Sequence, residues 1–474
     1  MNRVEADEGT RVGRVMQAIR SRIAGRELAA GAKLPSIRRF SETMAVSKST
    51  VVEAYDRLAA EGVIQARRGS GFYVAGHAPP FSVADLGPRL ERAVDPFWVS
   101  RQSLDAGDSV LKPGCGWLPA DWLPQEALRR ALRTASRAPA ETLGDYGTPL
   151  GLAPLRQVLA RRMGLHSIDA SPAQIMLTES GTQALDIVCR FLIEPGDSVL
   201  VDDPCYFNFH ALLRAHRVRI VGVPYTRSGP DPVELERVLA EQRPRLYITN
   251  SALHNPTGAT LSPVVAHRVL KLADQFGLTI VEDDIFADFE PEPAPRLAAF
   301  DGLDRVVQIG SFSKSLSASV RCGYIAARQD WIEGLIDLKI AASFGTGRLA
   351  ADMVLTILRD GSYRKHMDGL RGRLARAMGE TSARLKAMGV RPWIEPRGGM
   401  FLWCELPEGL DSAIIARQLL AEDIVLAPGN VYSLSQSAGR FLRFNVAQSG
   451  DPRLFSALGR AMAAGAPQGS TASD

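Results

Sequence analysis

Cysteine is sparse in this 474-residue chain: five residues, Cys115, Cys189, Cys205, Cys322 and Cys404, odd in number, scattered and without CxxC spacing. That pattern excludes a disulfide framework and a cysteine-built metal site, so reduced, mostly buried thiols and no metal are expected. Long hydrophobic runs are also missing, none approaching the roughly 18 residues that would cross a bilayer. The opening MNRVEADEGT lacks the apolar core of a secretory signal; no membrane association and a cytoplasmic location are expected. Internal repeats are absent. What is present, 46% apolar and 23% charged residues, is the composition of an ordinary globular protein. The length calls for two or three domains.

The net charge of +4 is unevenly spread. Residues 1–76 carry thirteen Lys/Arg against eight Asp/Glu, a surplus of five, and the remainder sums to minus one. A basic front on a near-neutral body fits a polyanionic partner.

Val12, Val15, Met16, Ile19 and Ile23 recur at helical spacing, which predicts a helix over about 11–24. Ile37–Met44 reads as a second helix, Ala45-Val46-Ser47 as a tight turn, and Lys48–Ala60 as a third helix with Val51, Val52, Tyr55 and Leu58 on its packed side. Val63–Ala66 and Phe72–Val74, joined by Arg67-Arg68-Gly69-Ser70-Gly71, read as a two-stranded wing. These elements make a winged helix-turn-helix domain over 1–76, followed by a linker over 77–108. From 109 to 462 short β-rich runs (175–178, 198–201, 246–249, 278–281, 306–309) alternate with helical segments. That is the pattern of an α/β fold, a mainly parallel sheet with helices on both faces. The larger part is expected over about 140–345 and a smaller α+β subdomain over about 346–462, with a disordered tail at 463–474.

The third helix begins Ser47-Lys48-Ser49-Thr50, small hydroxyls and one cation at an N-terminus whose N–H groups and dipole favour phosphate. Arg38, Arg39, Arg67 and Arg68 are placed to meet a nucleic-acid backbone, and Gly69 and Gly71 allow close approach of the wing. Residues 34–74 resemble the winged helix-turn-helix of the GntR family nearly position for position. The resemblance implies double-stranded operator DNA as partner, with Arg38 and Lys48 serving affinity and Ser49 and Thr50 nearer the bases.

In the body, Lys314 stands in SFSKSLSASVRCGY directly after the strand VVQI, with Ser311 three residues before it and Arg321 seven after. Ser180-Gly181-Thr182 follows the strand IMLT and opens a helix. Asp283 ends the strand LTIVEDD, Asn255 lies in HNPTG, Tyr206 in DDPCYF, Arg443 in FLRFNV and Tyr146 in DYGTPLG. These motifs, in this order over about 110–462, resemble fold-type I aminotransferases, and the union with the winged helix resembles MocR/GabR-type regulators. The resemblance implies pyridoxal 5′-phosphate as cofactor, held through an imine to Lys314. It implies a phosphate cup of Ser180, Gly181, Thr182, Ser311, Ser313 and Arg321, Asp283 against the ring nitrogen, and Asn255 on the 3′ oxygen. Tyr206 would stack on the ring, Arg443 would clamp a substrate carboxylate, and Tyr146 would reach the partner's cofactor in a head-to-tail homodimer. Asp284 is the poorer match to the ring nitrogen, because adjacent strand residues point to opposite faces. Many relatives place a tyrosine shortly after the strand aspartate, where this chain has Ile285 and Phe286. A Phe286 ring facing the cofactor could not donate to the 3′ oxygen, and the imine proton would be held more tightly.

Three functions compete: a regulator that senses an amino acid, an amine or pyridoxal phosphate at Lys314 and alters operator binding; a working aminotransferase with full or partial transamination; and a DNA binder whose body is only a scaffold.

Overall fold

The computed structural model describes residues 10–24, 28, 31–67, 70–75, 99, 102–104, 106–107, 109–144 and 146–465. The chain divides into two compact units, Met1–Leu86 and Gly87–Asp474.

The first unit packs α1 (Arg11–Ala24), α2 (Ile37–Met44) and α3 (Lys48–Ala60) with an antiparallel pair, β1 (Ile64–Arg67) and β2 (Gly71–Val74). Ser36 and Ser47 cap α2 and α3, their hydroxyls accepting from the Arg39 and Thr50 N–H groups; each such cap is worth about 1 kcal/mol. Ala45 turns between the helices in the left-handed region, φ 51°. Tyr55 is fully buried, its ring against Phe40 and Phe72 and its hydroxyl donating to the Pro35 carbonyl at 2.9 Å. One side chain thereby ties both helices to the wing.

The second unit is built on an eight-stranded sheet. Its strands are β3 (Ile175–Thr178), β4 (Ser198–Asp203), β5 (Arg219–Thr226), β6 (Gly229–Pro230), β7 (Leu246–Thr249), β8 (Thr279–Asp283), β9 (Val306–Ser311) and β10 (Gly323–Ala326), in the order β3-β10-β9-β8-β7-β4-β5-β6. The central pairs are parallel, whereas β10 runs antiparallel to both β3 and β9. The helices Gly181–Leu192 and Gln329–Ser343 contribute to the apolar cluster on one face, and Ala153–Gly164, Pro232–Gln242 and Pro263–Phe276 to that on the other. β4, β7, β8, β9 and β3 all end at one edge, the carboxyl edge where open α/β sheets place ligands.

A smaller antiparallel sheet follows, β11 (Arg391–Pro392), β12 (Phe401–Glu405), β13 (Ala427–Pro428) and β14 (Phe441–Asn445), ordered β11-β12-β14-β13. The last helix runs Pro452–Gly465, so residues 463–465 continue it instead of opening the expected tail. Most of the expected linker, and residues 466–474, lie outside the described residues. Among those described, no helix is long and apolar enough to cross a membrane, and no cluster could hold a metal.

Asp284, just past β8, receives Arg296 Nε at 2.9 Å and Gln308 Nε2 at 2.9 Å, and the same fully buried arginine pairs with Glu290. Removing one member of such a group leaves buried charge unopposed, which costs about 3–5 kcal/mol. Arg296→Met is therefore expected to lower the unfolding free energy by about that amount, measured by chemical denaturation.

Candidate functional site at the carboxyl edge of the sheet

Loops leaving β3, β4, β8 and β9 converge on one cavity lined by Ser180, Gly181, Thr182, Tyr206, Asn208, Asp283, Ile285, Ser311, Ser313, Lys314 and Arg321 among others. Lys314 sits three residues beyond β9. Burial drives its amine down to about 8, with Arg443 and Arg321 adding to the effect and Asp283 opposing it. Burial likewise raises the Asp283 carboxyl to about 7, partly offset by the Ile285 N–H that it accepts at 3.2 Å. A buried amine biased towards its neutral, nucleophilic form and a buried acid wanting a cationic neighbour share one cavity.

At one end of the cavity the helix Gly181–Leu192 begins. Ser180 spends its hydroxyl on the Gln183 N–H at 3.1 Å, leaving the first-turn N–H groups of Gly181 and Thr182 without intrahelical acceptors. A Cβ on Gly181 would stand 3.2 Å from Ile285 Cγ2, and one on Gly323 would collide with the Ser180 carbonyl carbon at 2.7 Å. Both glycines let β10 and the helix end lie close. Ser311 and Ser313 are joined at 3.0 Å, and the exposed Arg321, φ 52°, has no carboxylate partner among the described residues. Oriented N–H groups, two hydroxyls and a guanidinium whose one hydrogen bond is to the Ala318 carbonyl together fit a phosphate.

Arg443, on β14 opposite Trp403, is 1% exposed. It donates to Asn255 Oδ1 and the Gly114 carbonyl, each at 2.8 Å, and lies over the rings of Phe401 (4.1 Å) and Tyr432 (5.0 Å). Its Nε is buried without a partner, and its hydrogen bonds go to neutral acceptors.

The structure thus gathers Ser180, Gly181, Thr182, Tyr206, Asp283, Ser311, Ser313, Lys314 and Arg321 around one cavity, with Asn255 bonded to Arg443 beside it. Asp284 is committed to Arg296 and Gln308, as strand alternation requires. Phe286 does not follow expectation: it is 3% exposed, packs against Phe289 and Phe401, and belongs to the apolar core. Ile285 lines the cavity in its stead, because the chain turns after β8 and sends the larger ring inward. Tyr146 does not line this cavity; it is 80% exposed, its ring tilted against Phe344 at 5.2 Å. Sequence reasoning overlooked Cys115 and Gly116. A Cβ on Gly116 would come within 3.8 Å of Lys314 Nζ, and only the glycines of PGCGW hinted at such an approach.

In the first unit, Arg38, Arg39, Ser47, Lys48 and Ser49 are exposed and Thr50 half-buried. The Ser47 hydroxyl lies 2.8 Å from Ser49 Oγ and 2.7 Å from Thr50 Oγ1, and Arg38 pairs with Glu42 at 3.3 Å. Gly71 opens β2 at φ 106°. The Arg67 side chain, Arg68 and Gly69 lie outside the described residues.

Residues 119–459 match the aminotransferase class I and II family, and residues 11–74 the bacterial regulatory proteins of the gntR family. The HTH-type transcriptional regulator YdcR of Escherichia coli is 31% identical over 442 residues, 91% of this chain and 94% of its own. YdfD of Bacillus subtilis, also an HTH-type transcriptional regulator, is 26% identical over 91% and 92%. Among solved structures, LysN, an α-aminoadipate aminotransferase of Thermus thermophilus complexed with N-(5′-phosphopyridoxyl)-L-leucine, superposes with TM-score 0.71 at 27% identity, covering 77% of this chain and 94% of LysN. The buried amine, the acid beside it and the phosphate-fitting helix end are what pyridoxal 5′-phosphate requires. The chain belongs to the aminotransferase class I and II family, in the two-part form of MocR-type regulators, with a GntR-family helix-turn-helix as its N-terminal unit.

Proposed function

We propose that the second unit holds pyridoxal phosphate on Lys314, senses an amine, an amino acid or the cofactor itself, and thereby changes how the winged helix binds operator DNA in the cytoplasm. The observation that carries this is Lys314, a buried amine between Asp283 and the phosphate-fitting turn, in a chain that also bears a DNA-reading fold. Bound there, the cofactor supplies an aldehyde that takes an amine and a ring that withdraws electrons. Ser180, Gly181, Thr182, Ser311, Ser313 and Arg321 would hold its phosphate, and Asp283 its ring nitrogen. Tyr206 would cover its face, and the NH2 end of Asn255 is left to donate to the 3′ oxygen. Arg443 would take a ligand carboxylate through the planar fork that only a guanidinium offers. The exposed Tyr146–Phe344 pair, with Leu143 and Leu349 also exposed, supports a head-to-tail homodimer in which Tyr146 lines the partner's site.

The near-complete set of catalytic groups favours transamination as the alternative. With an amino donor and a second keto acid as acceptor, several equivalents of product per chain would establish it; a single equivalent leaves the regulator.

Borohydride reduction of the protein with its cofactor should fix one phosphopyridoxyl group on the Lys314 peptide, read by mass spectrometry. Lys314→Ala should lose both the label and any cofactor-dependent change in DNA binding, and a label on another lysine would sink the reading. Without cofactor, Lys314 titrates near 8 when folded and near its ordinary 10.5 when unfolded. Between those values the unfolded chain binds the extra proton, so this residue makes stability rise with pH by up to about 3 kcal/mol. The rise should flatten in Lys314→Met, measured by urea unfolding at pH 7.5 and 10. On any duplex, Lys48→Ala should reduce the slope of log affinity against log salt by about 1, because each phosphate contact releases counterions.

A further inference from the structure

Lys314 lies on a single helical turn. The Phe312 carbonyl accepts the Leu316 N–H at 2.9 Å and the Ser317 N–H at 3.2 Å, and no helix continues from there. An isolated turn fixes several dihedrals for a bond or two and is marginal by itself, so the place of the lysine depends on what the turn is fastened to. Phe312 and Leu316 belong to the apolar core. The polar fastening is at Ser315, 1% exposed and next to Lys314 in the chain.

The hydroxyl and the carbonyl of Ser315 are both held by the long helix Ser362–Ala387. Tyr363 Oη lies 2.6 Å from Ser315 Oγ and 2.5 Å from Asp288 Oδ2, and His366 Nε2 donates to the Ser315 carbonyl at 3.0 Å. A phenol has one proton. It goes to the carboxylate, so Ser315 donates its own to Tyr363. Asp288 stands five residues past Asp283, in the turn that follows β8; its carboxylate also pairs with Arg162, and its carbonyl accepts Arg371 Nε at 3.0 Å. The Tyr363 ring, 6.0 Å from Phe312 and with the Arg162 guanidinium 5.0 Å from its centre, fills a space that phenylalanine would fill as well. What the hydroxyl adds is a tie between the exit of β8, which bears Asp283, and the exit of β9, which bears Lys314.

We propose that Tyr363 is a positioning residue: through Ser315 it holds the Lys314 turn against the exit of β8, and so keeps the amine out of water and beside Asp283. The proposal rests on the reading of Lys314 as the amine that receives the cofactor. A lysine amine sits on a flexible four-carbon stem, so its place is fixed by the backbone it springs from and by the walls around it. Freed from Tyr363, the turn admits water to the amine, whose proton affinity then returns towards that of an exposed lysine. The same helix packs against β11, β12 and the turn Val446–Gln448 that follows β14. The support of Lys314 is thus drawn from the part of the unit that carries Arg443.

The pH profile of cofactor uptake tests this. Full-length protein stripped of cofactor is mixed with pyridoxal phosphate, and the condensation of aldehyde with amine, which releases water, is followed by absorbance and assigned to Lys314 by borohydride reduction. The neutral amine is the form that attacks, so the wild-type rate should rise with a midpoint near 8. In Tyr363→Phe the midpoint should move up by about one pH unit, which leaves about tenfold less neutral amine and a rate at pH 7 slower by about the same factor. Ser315→Ala, a smaller change to the core, should do the same, and the double variant no more than either. None of these substitutions alters Asp283, Arg321, Arg443 or Cys115, the ionisable groups around the amine. Unmoved midpoints in Tyr363→Phe and Ser315→Ala, with or without lost stability in urea, would overturn the proposal, as would shifts that add in the double variant. If wild-type Lys314 takes no label at any pH, the cofactor reading itself fails, and the positioning role with it.

Discussion

The body of this protein is organised around keeping the Lys314 amine out of water at the carboxyl edge of a parallel sheet. Burial is what lowers its proton affinity, so more of the amine is neutral and nucleophilic near neutral pH than at an exposed lysine. Several loops are needed to exclude that water, which is why the site draws on β3, β4, β8, β9 and the crossing from the small sheet. The reversed strand β10 serves the same end, pressing Gly323 against the start of the Ser180 helix so that its free N–H groups face inward.

Three successive acids at the end of β8 show how one strand supplies three environments. Glu282 turns to the helix Leu297–Asp301 and accepts the Leu297 and Ala298 N–H groups at 2.7 and 2.9 Å. Asp283 faces the cavity, and Asp284 is neutralised by Arg296 and also accepts from Gln308. Alternation of side chains along the strand turns Asp283 away from Glu282 and Asp284. The buried arginine keeps the third acid from raising the second still further.

Where a local signal exists, the sequence was readable. Ser36 and Ser47 cap helices whose bounds agree with the apolar spacing, and the runs at 175–178 and 246–249 are strands with those limits. Lys314, Asp283 and the Ser180 turn were named from the resemblance of their motifs, and the cavity that gathers them lies where β3, β8 and β9 end. Phe286 was misjudged because a turn's direction is decided by what it packs against, here Phe289 and Phe401, which lie three and 115 residues away. β10, four residues with no flanking punctuation, carries too little pattern to announce itself. Gly116 beside Lys314 is a contact between segments nearly 200 residues apart, and Val99 packs on rings from Phe207 onwards; no periodicity encodes either.

The state of Arg443 bears on how a binding site can also be a switch. A buried guanidinium without a carboxylate is costly, and here it is held by two neutral acceptors and two ring faces. Cation–π contacts contribute about 0.5–2 kcal/mol apiece, and neutral acceptors less than an ionised one. An arriving carboxylate therefore improves on every partner the side chain has, whereas a ligand without one gains nothing there. That difference in interaction between the closed and the occupied arrangement is what lets a ligand move an equilibrium at all. A site whose arginine were already exposed and hydrated would bind the same anion while leaving the two arrangements equally populated, and it would make an enzyme more readily than a sensor.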